Sequence, residues 1–216
     1  MKGLFITGSG TNVGKTFIAK KLVELLDKTQ TVRVRKPVES DCTPAINGLV
    51  PKDALLLSHS CREVEPLDRV CPFRFQACAS AEKASADAGQ RLALQQLHDA
   101  CQVDSDADFV LIEGAGGLYS PVAADALNSD LAKALKLPLV LVVKDELGAV
   151  NQALLCLQAA EMQQLTVAML VLNQIRPNAL DNAKFIRQYS AAPVLEFSSN
   201  REARFLAEAL TLIKQG

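Results

Sequence analysis

One stretch decides the fold of this 216-residue chain: Gly8-Ser9-Gly10-Thr11-Asn12-Val13-Gly14-Lys15-Thr16. An apolar segment, Leu4–Thr7, precedes it, and a segment with apolar residues at helical spacing, Lys15–Lys28, follows it. A glycine-rich turn between a strand and a helix points backbone N–H groups into one concavity, where the positive end of the helix dipole also favours anions. The stretch therefore predicts a phosphate-binding loop that holds a nucleoside triphosphate.

Three residues of this loop have tasks that follow from their chemistry. Gly14 allows close approach of the backbone, Lys15 reaches the β- and γ-phosphates, and the Thr16 hydroxyl can ligate Mg²⁺. The usual GxxxxGK(S/T) spacing would place its first glycine at Ser9, so this loop has one residue more, counted from Gly8. Despite that departure, the loop has the strand before it and the helix after it that the motif requires.

The rest of the chain alternates short apolar runs with longer amphipathic ones, which is typical of βαβ units on a parallel sheet. The predicted strands are Leu4–Thr7, Thr31–Val34, Phe109–Glu113, Leu139–Val143, Val167–Leu172 and Pro193–Phe197. The predicted helices are Lys15–Lys28, Asp53–Ser60, Gln90–Cys101, Ser129–Leu135, Ala149–Gln163, Asn178–Tyr189 and Arg201–Lys214. The expected fold is α/β, a P-loop NTPase-like three-layer fold with a mainly parallel central sheet flanked by helices.

The segment from Asp41 to Gly89 is the least regular, since it contains Pro44, Gly48, Pro51, Pro66 and Pro72 and no strong strand. A long irregular segment in a compact domain is usually functional, so we expect a substrate loop or a subunit contact there. The chain has no repeat, low-complexity tract or linker, and residues 1–216 are predicted to form a single domain.

Composition excludes several classes of function. The formal net charge of −1 offers no general field for nucleic acid or anionic lipid, and tryptophan is absent, so neither a nucleic acid nor a membrane is an expected partner. The apolar runs are too short to span a bilayer or to form a signal peptide. Six scattered cysteines without a C-x-x-C pair fit reduced thiols, and a cytoplasmic location is expected.

Further candidate residues follow the predicted strands. Glu113 ends the apolar strand Phe109–Glu113, and ligands of open α/β sheets bind beyond the carboxyl ends of strands, so Glu113 is a candidate for Mg²⁺. Asp53 could reach the same ion or could be a plain helix cap. Lys36 could neutralise charge in a transfer reaction or be an ordinary exposed lysine. Asn173 could contact an adenine edge or belong to a turn.

Taken together, these pieces resemble the dethiobiotin synthetase family of the P-loop superfamily. The matching blocks, in the family's order between residues 5 and 175, are Thr7-Gly8-x-x-Thr11-x-Val13-Gly14-Lys15-Thr16, Lys36-Pro37-Val38-x-Ser40, Asp53-Ala54, Glu113-Gly114-Ala115-Gly116-Gly117, Leu147-Gly148-x-x-Asn151 and Asn173. The extra residue of the phosphate loop is itself the family's spacing.

The resemblance implies an ATP- and Mg²⁺-dependent enzyme that makes a cyclic urea from 7,8-diaminononanoate and CO₂. A substrate amine and CO₂ would form a carbamate, whose oxygen attacks the γ-phosphorus of ATP and gives a carbamic–phosphoric anhydride. The second amine would then displace phosphate and close the ring. Catalysis of such a transfer consists mostly of positioning and charge neutralisation.

The resemblance also assigns residues by position. Lys15 and Lys36 would be catalytic; Thr16, Asp53 and Glu113 would surround Mg²⁺. The implied ATP-binding residues are Asn12, Val13, Gly14, Lys15, Thr16, Phe17, Asp53, Glu113, Gly114, Ala115, Gly116 and Asn173. The implied substrate-binding residues are Thr11, Ser40, Gly116, Gly148, Val150 and Asn151. Family members are homodimers, and the Gly148–Asn151 turn would complete the diamine site of the partner subunit.

This chain departs from the family pattern outside the phosphate and metal residues. The departures are Asn12 in place of a frequent glutamate, Asp41 in place of a glycine, Ala81-Glu82 in place of a proline–histidine pair, Phe185 in place of a tyrosine, and Leu195-Glu196-Phe197-Ser198 in place of glycine-x-isoleucine-proline. They bear on the diamine pocket and on the adenine contacts. The choice among ATP, CTP and GTP stays open at this point.

Two alternatives use the same scaffold. A cobyrinic acid a,c-diamide synthase-like, amide-forming ligase usually carries an added glutaminase domain, for which 216 residues leave no room. A ParA-like ATPase switch carries a signature lysine near the start of the loop, where this chain has Gly8, Ser9 and Gly10. Dependence of ATP turnover on diamine and bicarbonate, rather than on DNA and a partner protein, discriminates between them.

Overall fold

The computed structural model describes residues 1–104 and 109–215. The strands in the described part are β1 (Lys2–Gly8), β2 (Val32–Arg35), β3 (Val38–Glu39), β4 (Thr43–Ala45), β5 (Gly48–Val50), β6 (Phe73–Arg74), β7 (Phe109–Glu113), β8 (Pro121–Ala123), β9 (Ala126–Leu127), β10 (Leu139–Lys144), β11 (Val167–Asn173) and β12 (Val194–Phe197). The helices are α1 (Lys15–Leu26), α2 (Lys52–Ser58), α3 (Leu67–Val70), α4 (Ala81–Asp87), α5 (Leu94–Ala100), α6 (Asn128–Leu135), α7 (Ala149–Met162), α8 (Asn182–Tyr189) and α9 (Glu202–Gln215).

A six-stranded sheet forms the centre of the fold, in the order β12-β11-β10-β1-β7-β2. Every neighbouring pair in this sheet is parallel. The strands are nearly uniform apolar runs because parallel sheets are covered on both faces. The predicted fold class, an α/β P-loop NTPase-like fold with a parallel central sheet, is confirmed.

Two hydrophobic cores lie on opposite faces of this sheet. In β1, Phe5 belongs to one core, whereas Leu4 and Ile6 belong to the other, because successive side chains of a strand point to opposite faces. The first core contains apolar residues of α5, α6 and α7. The second contains those of α1, α2 and α9. Three layers result, as the sequence predicts.

Two predicted helices begin later than expected. The helix predicted from Asn178 begins at Asn182, because Asp181 has a left-handed φ of 50° and because the Asn178 side chain accepts a hydrogen bond from the Leu180 amide. Such local side-chain bonds compete with helix formation. The helix predicted from Gln90 begins at Leu94, where the Gln96 side chain accepts the Ala93 amide.

The segment between Asp41 and Gly89 is more regular than the sequence indicates. It contains the antiparallel hairpin of β4 and β5, the helices α2, α3 and α4, and the strand β6, which pairs in parallel with β3. Each element is short, so none produces a clear periodic pattern in the sequence. Along the two described stretches of chain, no helix has both the length and the hydropathy needed to cross a bilayer.

Candidate functional site

A large cavity lies at the carboxyl ends of three adjacent strands, β1, β7 and β2. The phosphate loop follows β1, Glu113 ends β7, and Lys36 follows β2 directly. The cavity has a volume of about 1010 Å³ and is open to solvent. Because the strands are parallel and adjacent, three segments that are distant in sequence meet at one edge of the sheet.

The phosphate loop is shaped by Gly14, the residue before α1. Gly14 has a φ of 94°, and a Cβ atom at this position would lie 2.0 Å from Nδ2 of Asn173. Both the backbone conformation and the close neighbour therefore require glycine. Nδ2 of Asn173 donates a hydrogen bond to the carbonyl oxygen of Val13 at 2.9 Å, so the end of β11 supports the loop.

Lys15 is held against its own loop in this structure. Its ammonium donates to the carbonyl oxygen of Gly10 at 2.7 Å, and the side chain is largely buried. Burial and then the positive charge of Lys36 lower the pKa of Lys15 to about 8, against the opposing effect of Glu113 and Asp53. A phosphate that replaces the Gly10 carbonyl would supply the negative charge that this ammonium lacks.

Lys36 is the centre of a buried cluster of charges. Its Nζ lies 2.5 Å from Oε1 of Glu113 and 3.4 Å from Oδ2 of Asp53. The Thr16 hydroxyl donates to the same Glu113 oxygen at 3.0 Å. The cluster thus joins the phosphate loop, β7, α2 and the end of β2 through side chains alone.

The charges in this cluster stabilise one another. Burial by itself lowers the pKa of Lys36, but Glu113, Asp53 and the hydrogen bond to Glu113 outweigh it and raise the pKa above its ordinary value. Lys36 is therefore a permanent ammonium despite being only 3% exposed. The neighbouring Glu39 is also buried, and burial raises the pKa of its carboxyl against the effects of Lys36 and of two amide hydrogen bonds.

Glu113 has bonding capacity that the protein does not use. It is fully buried, and its Oε2 has no hydrogen-bond partner. A buried carboxylate oxygen without a partner is costly unless a ligand or cation satisfies it. Within residues 1–104 and 109–215, no three His, Cys, Asp or Glu side chains form a metal cluster. Two carboxylates and a hydroxyl suit Mg²⁺, which takes its remaining ligands from phosphate and water.

The glycine-rich turn after Glu113 is held by Asn128, a residue that no sequence motif marks. Asn128, fully buried at the start of α6, donates from Nδ2 to the carbonyl oxygens of Ala115 at 2.6 Å and Gly117 at 2.7 Å. A side chain at Gly114 would collide with the same amide. Asn128 therefore fixes the turn whose residues Ala115 and Gly116 line the cavity.

Comparison with known proteins identifies the family of the chain. A family model described as an AAA domain matches residues 2–196. The ATP-dependent dethiobiotin synthetase BioD of Ruthia magnifica is 55% identical over 205 residues, which cover 95% of each chain. That of Vesicomyosocius okutanii is 56% identical over 200 residues, 93% of this chain and 91% of the relative. This chain belongs to the dethiobiotin synthetase family.

Solved structures of more distant proteins share the fold. The pNOB8 ParA bound to nonspecific DNA has a TM-score of 0.58 at 10% identity, with 99% of both chains covered. A ParA family ATPase from Chlorobium tepidum has a TM-score of 0.56 at 12% identity, covering 100% of this chain and 93% of that one. At such low identity the likeness concerns the fold alone. It agrees with the α/β architecture predicted from the sequence.

Most residues predicted to form the site of a dethiobiotin synthetase surround the cavity. Its lining includes Thr11, Asn12, Gly14, Lys15, Thr16, Phe17, Lys36, Ser40, Asp53, Ala115 and Gly116. Glu113 does not line the cavity but accepts a hydrogen bond from the lining residue Thr16. Val13, Gly114 and Asn173 are buried and do not line it. Nine of these lining residues stand in the blocks that match the family, and the parallel topology brings those blocks together.

Gly148, Val150 and Asn151 do not line this cavity. They lie at the start of α7, where Gly148 has a left-handed φ of 94° and Asn151 is exposed. The next residue, Gln152, accepts a hydrogen bond from the Ser9 hydroxyl at 3.0 Å, which links this turn to the phosphate loop. The role of the turn in a partner's site stays a prediction.

The structure shows the surroundings of several residues at which this chain departs from the family pattern. Asn12 and Asp41 both have left-handed φ angles, near 60°, a conformation that asparagine and aspartate adopt more readily than most residues. Phe185 is exposed on α8. Phe197 stacks edge-to-face with Phe17, with ring centroids 5.2 Å apart, so the substituted segment packs beside the helix that follows the phosphate loop.

Several residues of the site lie outside the sequence predictions. Glu39 and Asn128 act through hydrogen bonds to backbone groups of distant segments, which no local motif announces. One wall of the cavity includes Cys78, Ala79 and Ser80. The Ser40 hydroxyl donates to the Ala79 carbonyl at 2.7 Å, which joins this wall to the Lys36–Ser40 segment.

Proposed function

We propose that this protein makes dethiobiotin from 7,8-diaminononanoate, CO₂ and ATP, and releases ADP and phosphate. The observation that carries the proposal is the buried Lys36 ammonium, which contacts Glu113 and Asp53 beside a phosphate loop in a chain of this family. A fixed positive charge next to the γ-phosphate position suits a transfer of a phosphoryl group to an anionic acceptor.

The proposed reaction begins with a carbamate. One substrate amine attacks CO₂ and loses a proton, and a carbamate oxygen then attacks the γ-phosphorus, so that ADP leaves. The second amine attacks the carbamoyl carbon of the anhydride, phosphate leaves, and the ring closes. Lys36 balances the charge of the carbamate and the transferred group, and Lys15 exchanges the Gly10 carbonyl for phosphate oxygens. The raised pKa of Lys36 keeps it a cation in the free protein.

Mg²⁺ is the proposed metal cofactor. Thr16, Asp53 and Glu113 are the side chains that would hold it, and the unpartnered Oε2 of Glu113 supports this choice. When bound, such an ion neutralises phosphate charge and orients the transferring group. Thr16 and Glu113 already share a hydrogen bond, so their oxygens are oriented together before any ion arrives.

The substrate subsites are also proposals. Thr11, Ser40 and Gly116 surround the diamine in one protomer, and Gly148, Val150 and Asn151 come from the partner subunit of a homodimer. The N–H groups at the start of α7 suit the substrate carboxylate, because the first four have no partner within the helix. Asn173 contacts adenine while it supports the Val13 carbonyl. We further propose that residues 1–216 form one domain and that the enzyme works in the cytoplasm.

A product assay tests the proposed function. Purified protein with Mg-ATP, bicarbonate and 7,8-diaminononanoate should form dethiobiotin and ADP in equal amounts, measured by mass spectrometry. Omission of the diamine should abolish ADP formation above the background. Equal ATP hydrolysis with and without the diamine, without any cyclic urea product, would refute the proposal.

A complementation assay tests the shared site. Lys36→Ala and a variant of the α7 turn, Asn151→Ala, are each expected to be weak. In an equal mixture of the two, about half of the dimers contain both kinds of protomer and regain one intact site, so activity should recover to about a quarter of the wild-type value. Activity equal to the mean of the two variants would show that each protomer works alone.

A further inference from the structure

Glu39 is a buried carboxylate that the proposed reaction does not use. It ends β3, is 5% exposed, and lies between Val38 and Ser40. Burial of a carboxylate is unfavourable unless its oxygens accept hydrogen bonds. Both oxygens of Glu39 do so, and both donors belong to a single distant helix turn.

That turn is the start of α2. Oε1 of Glu39 accepts the backbone N–H of Asp53 at 3.0 Å, and Oε2 accepts that of Ala54 at 2.9 Å. The residue in the capping position is Pro51, which has no side-chain acceptor. Glu39 thus supplies from another strand the cap that a local serine or aspartate supplies in most helices, and its negative charge suits the helix dipole.

The capped turn carries the Asp53 side chain. That side chain is 43% exposed, and its Oδ2 lies 3.4 Å from the Lys36 ammonium. Packing therefore constrains the carboxylate little, whereas the two amide bonds fix the backbone on which it stands. The backbone that carries Asp53 beside Lys36 is therefore held by hydrogen bonds to a side chain of another strand.

We propose that Glu39 is a positioning residue that holds Asp53 in place for Mg²⁺ by capping α2. The inference rests on the proposed function, in which Asp53 is a ligand of the ion. Glu39 also lines the cavity, so a direct contact with an ammonium group of the diamine is the competing explanation. The two differ in what a Glu39 substitution weakens, which is metal binding in the first case and diamine binding in the second.

Titration of Mn²⁺ into the ADP-bound protein, followed by electron paramagnetic resonance, separates these explanations. Glu39→Ala should weaken Mn²⁺ binding about tenfold, as loss of a residue that orients a metal ligand typically does. ADP binding in the presence of EDTA should be unchanged, because the phosphate loop does not contact Glu39. Unchanged Mn²⁺ affinity with a raised KM for the diamine would overturn the proposal.

A double-mutant cycle gives the sharper test. If Glu39 acts through Asp53, Glu39→Ala should have no further effect in an Asp53→Asn background. Multiplicative losses in the double variant would overturn the proposal. If Asp53→Asn alone binds Mn²⁺ as the wild type does, Asp53 is not a ligand and the proposed metal site fails instead. If Glu39→Ala does not fold, Glu39→Gln, which keeps one acceptor oxygen, serves in the same cycle with a smaller loss.

Asp27 is a matched control for general destabilisation. It is also 5% exposed and also accepts two backbone amides, those of Val32 at 3.3 Å and Arg62 at 2.6 Å, but it belongs to no wall of the cavity. Asp27→Ala should lower the melting temperature without changing the Mn²⁺ affinity. An equal loss of Mn²⁺ affinity in Asp27→Ala would show that stability alone explains the effect of Glu39.

A rescue variant completes the test. Pro51→Ser introduces a local cap whose hydroxyl can accept an amide of the first turn. Combined with Glu39→Ala, it should restore much of the lost Mn²⁺ affinity. Mn²⁺ affinity that stays at the Glu39→Ala level, while the double variant keeps the helix content of the wild type, would count against capping as the mechanism.

Discussion

Arg35 and Lys36 are neighbours in the chain, and both are buried cations paired with a glutamate, yet their surroundings differ. Arg35 binds Glu65 through two nitrogens, at 2.6 and 3.1 Å, and donates to the carbonyls of Val34 and Gln102. Lys36 binds Glu113, whose second oxygen has no partner, and it lines the cavity. We call the Arg35 pair closed, because its polar groups bind protein partners, and the Lys36 cluster open, because one of its oxygens has no partner and the cluster faces a cavity.

Burial of a charged side chain therefore does not by itself indicate function. A buried ion pair whose hydrogen bonds are complete holds segments together, as Arg35 does for the loops that contain Glu65 and Gln102. A buried cluster with an unused oxygen beside a cavity still has capacity for a ligand. Five substitutions or measurements test this contrast, and their expected effects decrease in size.

The largest effect is expected for Lys36→Ala. Turnover should fall at least about 100- to 1,000-fold, because the variant removes a fixed charge at the group being transferred. ATP affinity should change little, because the phosphate loop remains. Initial rates and equilibrium binding measure the two quantities, and Lys52→Ala, an exposed lysine on the same cavity wall, serves as the control. Normal turnover at saturating ATP would contradict the assigned role.

Opening the closed pair should affect stability rather than chemistry. Glu65→Ala leaves Arg35 buried without its carboxylate and should lower the free energy of unfolding by about 3–5 kcal/mol. The double variant Arg35→Met/Glu65→Leu should recover most of that loss. Urea denaturation measures stability, and the folded variants should keep wild-type turnover. A loss of turnover at full saturation with folded protein would break the contrast between the two pairs.

Nucleotide binding beside the open Lys36 cluster should depend on pH, because Lys15 of the same cavity must be protonated to bind phosphate. The pKa of Lys15 in the free protein is lowered to about 8. Above that pH, binding of a phosphate requires uptake of a proton, so ATP affinity measured without metal should fall by up to about tenfold per pH unit. Calorimetry in buffers of different ionisation enthalpy should detect the proton. An ATP affinity that stays constant between about pH 7.5 and 9.5, a range of about two units that includes this pKa, would contradict the prediction.

The lowered pKa of Lys15 also affects stability: ATP affinity should fall with rising pH, whereas the free energy of unfolding should rise. The unfolded chain holds the Lys15 proton up to a pH of about 10.4, whereas the folded chain releases it near pH 8. Between these values the unfolded state binds more protons, so the contribution of Lys15 to the free energy of unfolding rises with pH. Lys15→Met should remove this contribution, which urea denaturation at two pH values can measure.

The smallest effect is expected for Arg35→Lys. An ammonium cannot reproduce the two-nitrogen contact with Glu65, so the free energy of unfolding should fall by about 1–3 kcal/mol while turnover stays unchanged. Urea denaturation with wild-type protein alongside measures the change. An unaltered midpoint would show that the second nitrogen of Arg35 contributes nothing.

Local patterns account for the parts of the site that sequence can predict. The phosphate loop, the end of β7 at Glu113 and the start of α2 at Asp53 each lie at a strand or helix terminus, which apolar periodicity locates. Glu39 and Asn128 escape prediction because their partners are backbone amides and carbonyls of other segments. The predicted start of α8 at Asn178 is wrong because Asn178 forms a local hydrogen bond in place of a helix turn.

Nor does sequence separate Arg35 from Lys36. Both follow the same strand pattern, and only the folded structure shows that Glu65 closes one pair while the other faces the cavity. A charged residue after a buried strand can serve either purpose. The resemblance to the family selected Lys36, whereas spacing alone would have left it an ordinary exposed lysine. It is in fact almost completely buried.

The central claim is that the open cluster around Lys36 directs the γ-phosphoryl group to a carbamate oxygen. The most direct test supplies ¹⁸O-labelled CO₂ to the enzyme, diamine and Mg-ATP in unlabelled water, with mixing faster than exchange of the label. The released phosphate should carry one ¹⁸O atom, detected by its ³¹P chemical shift. Unlabelled phosphate formed together with dethiobiotin would contradict the claim.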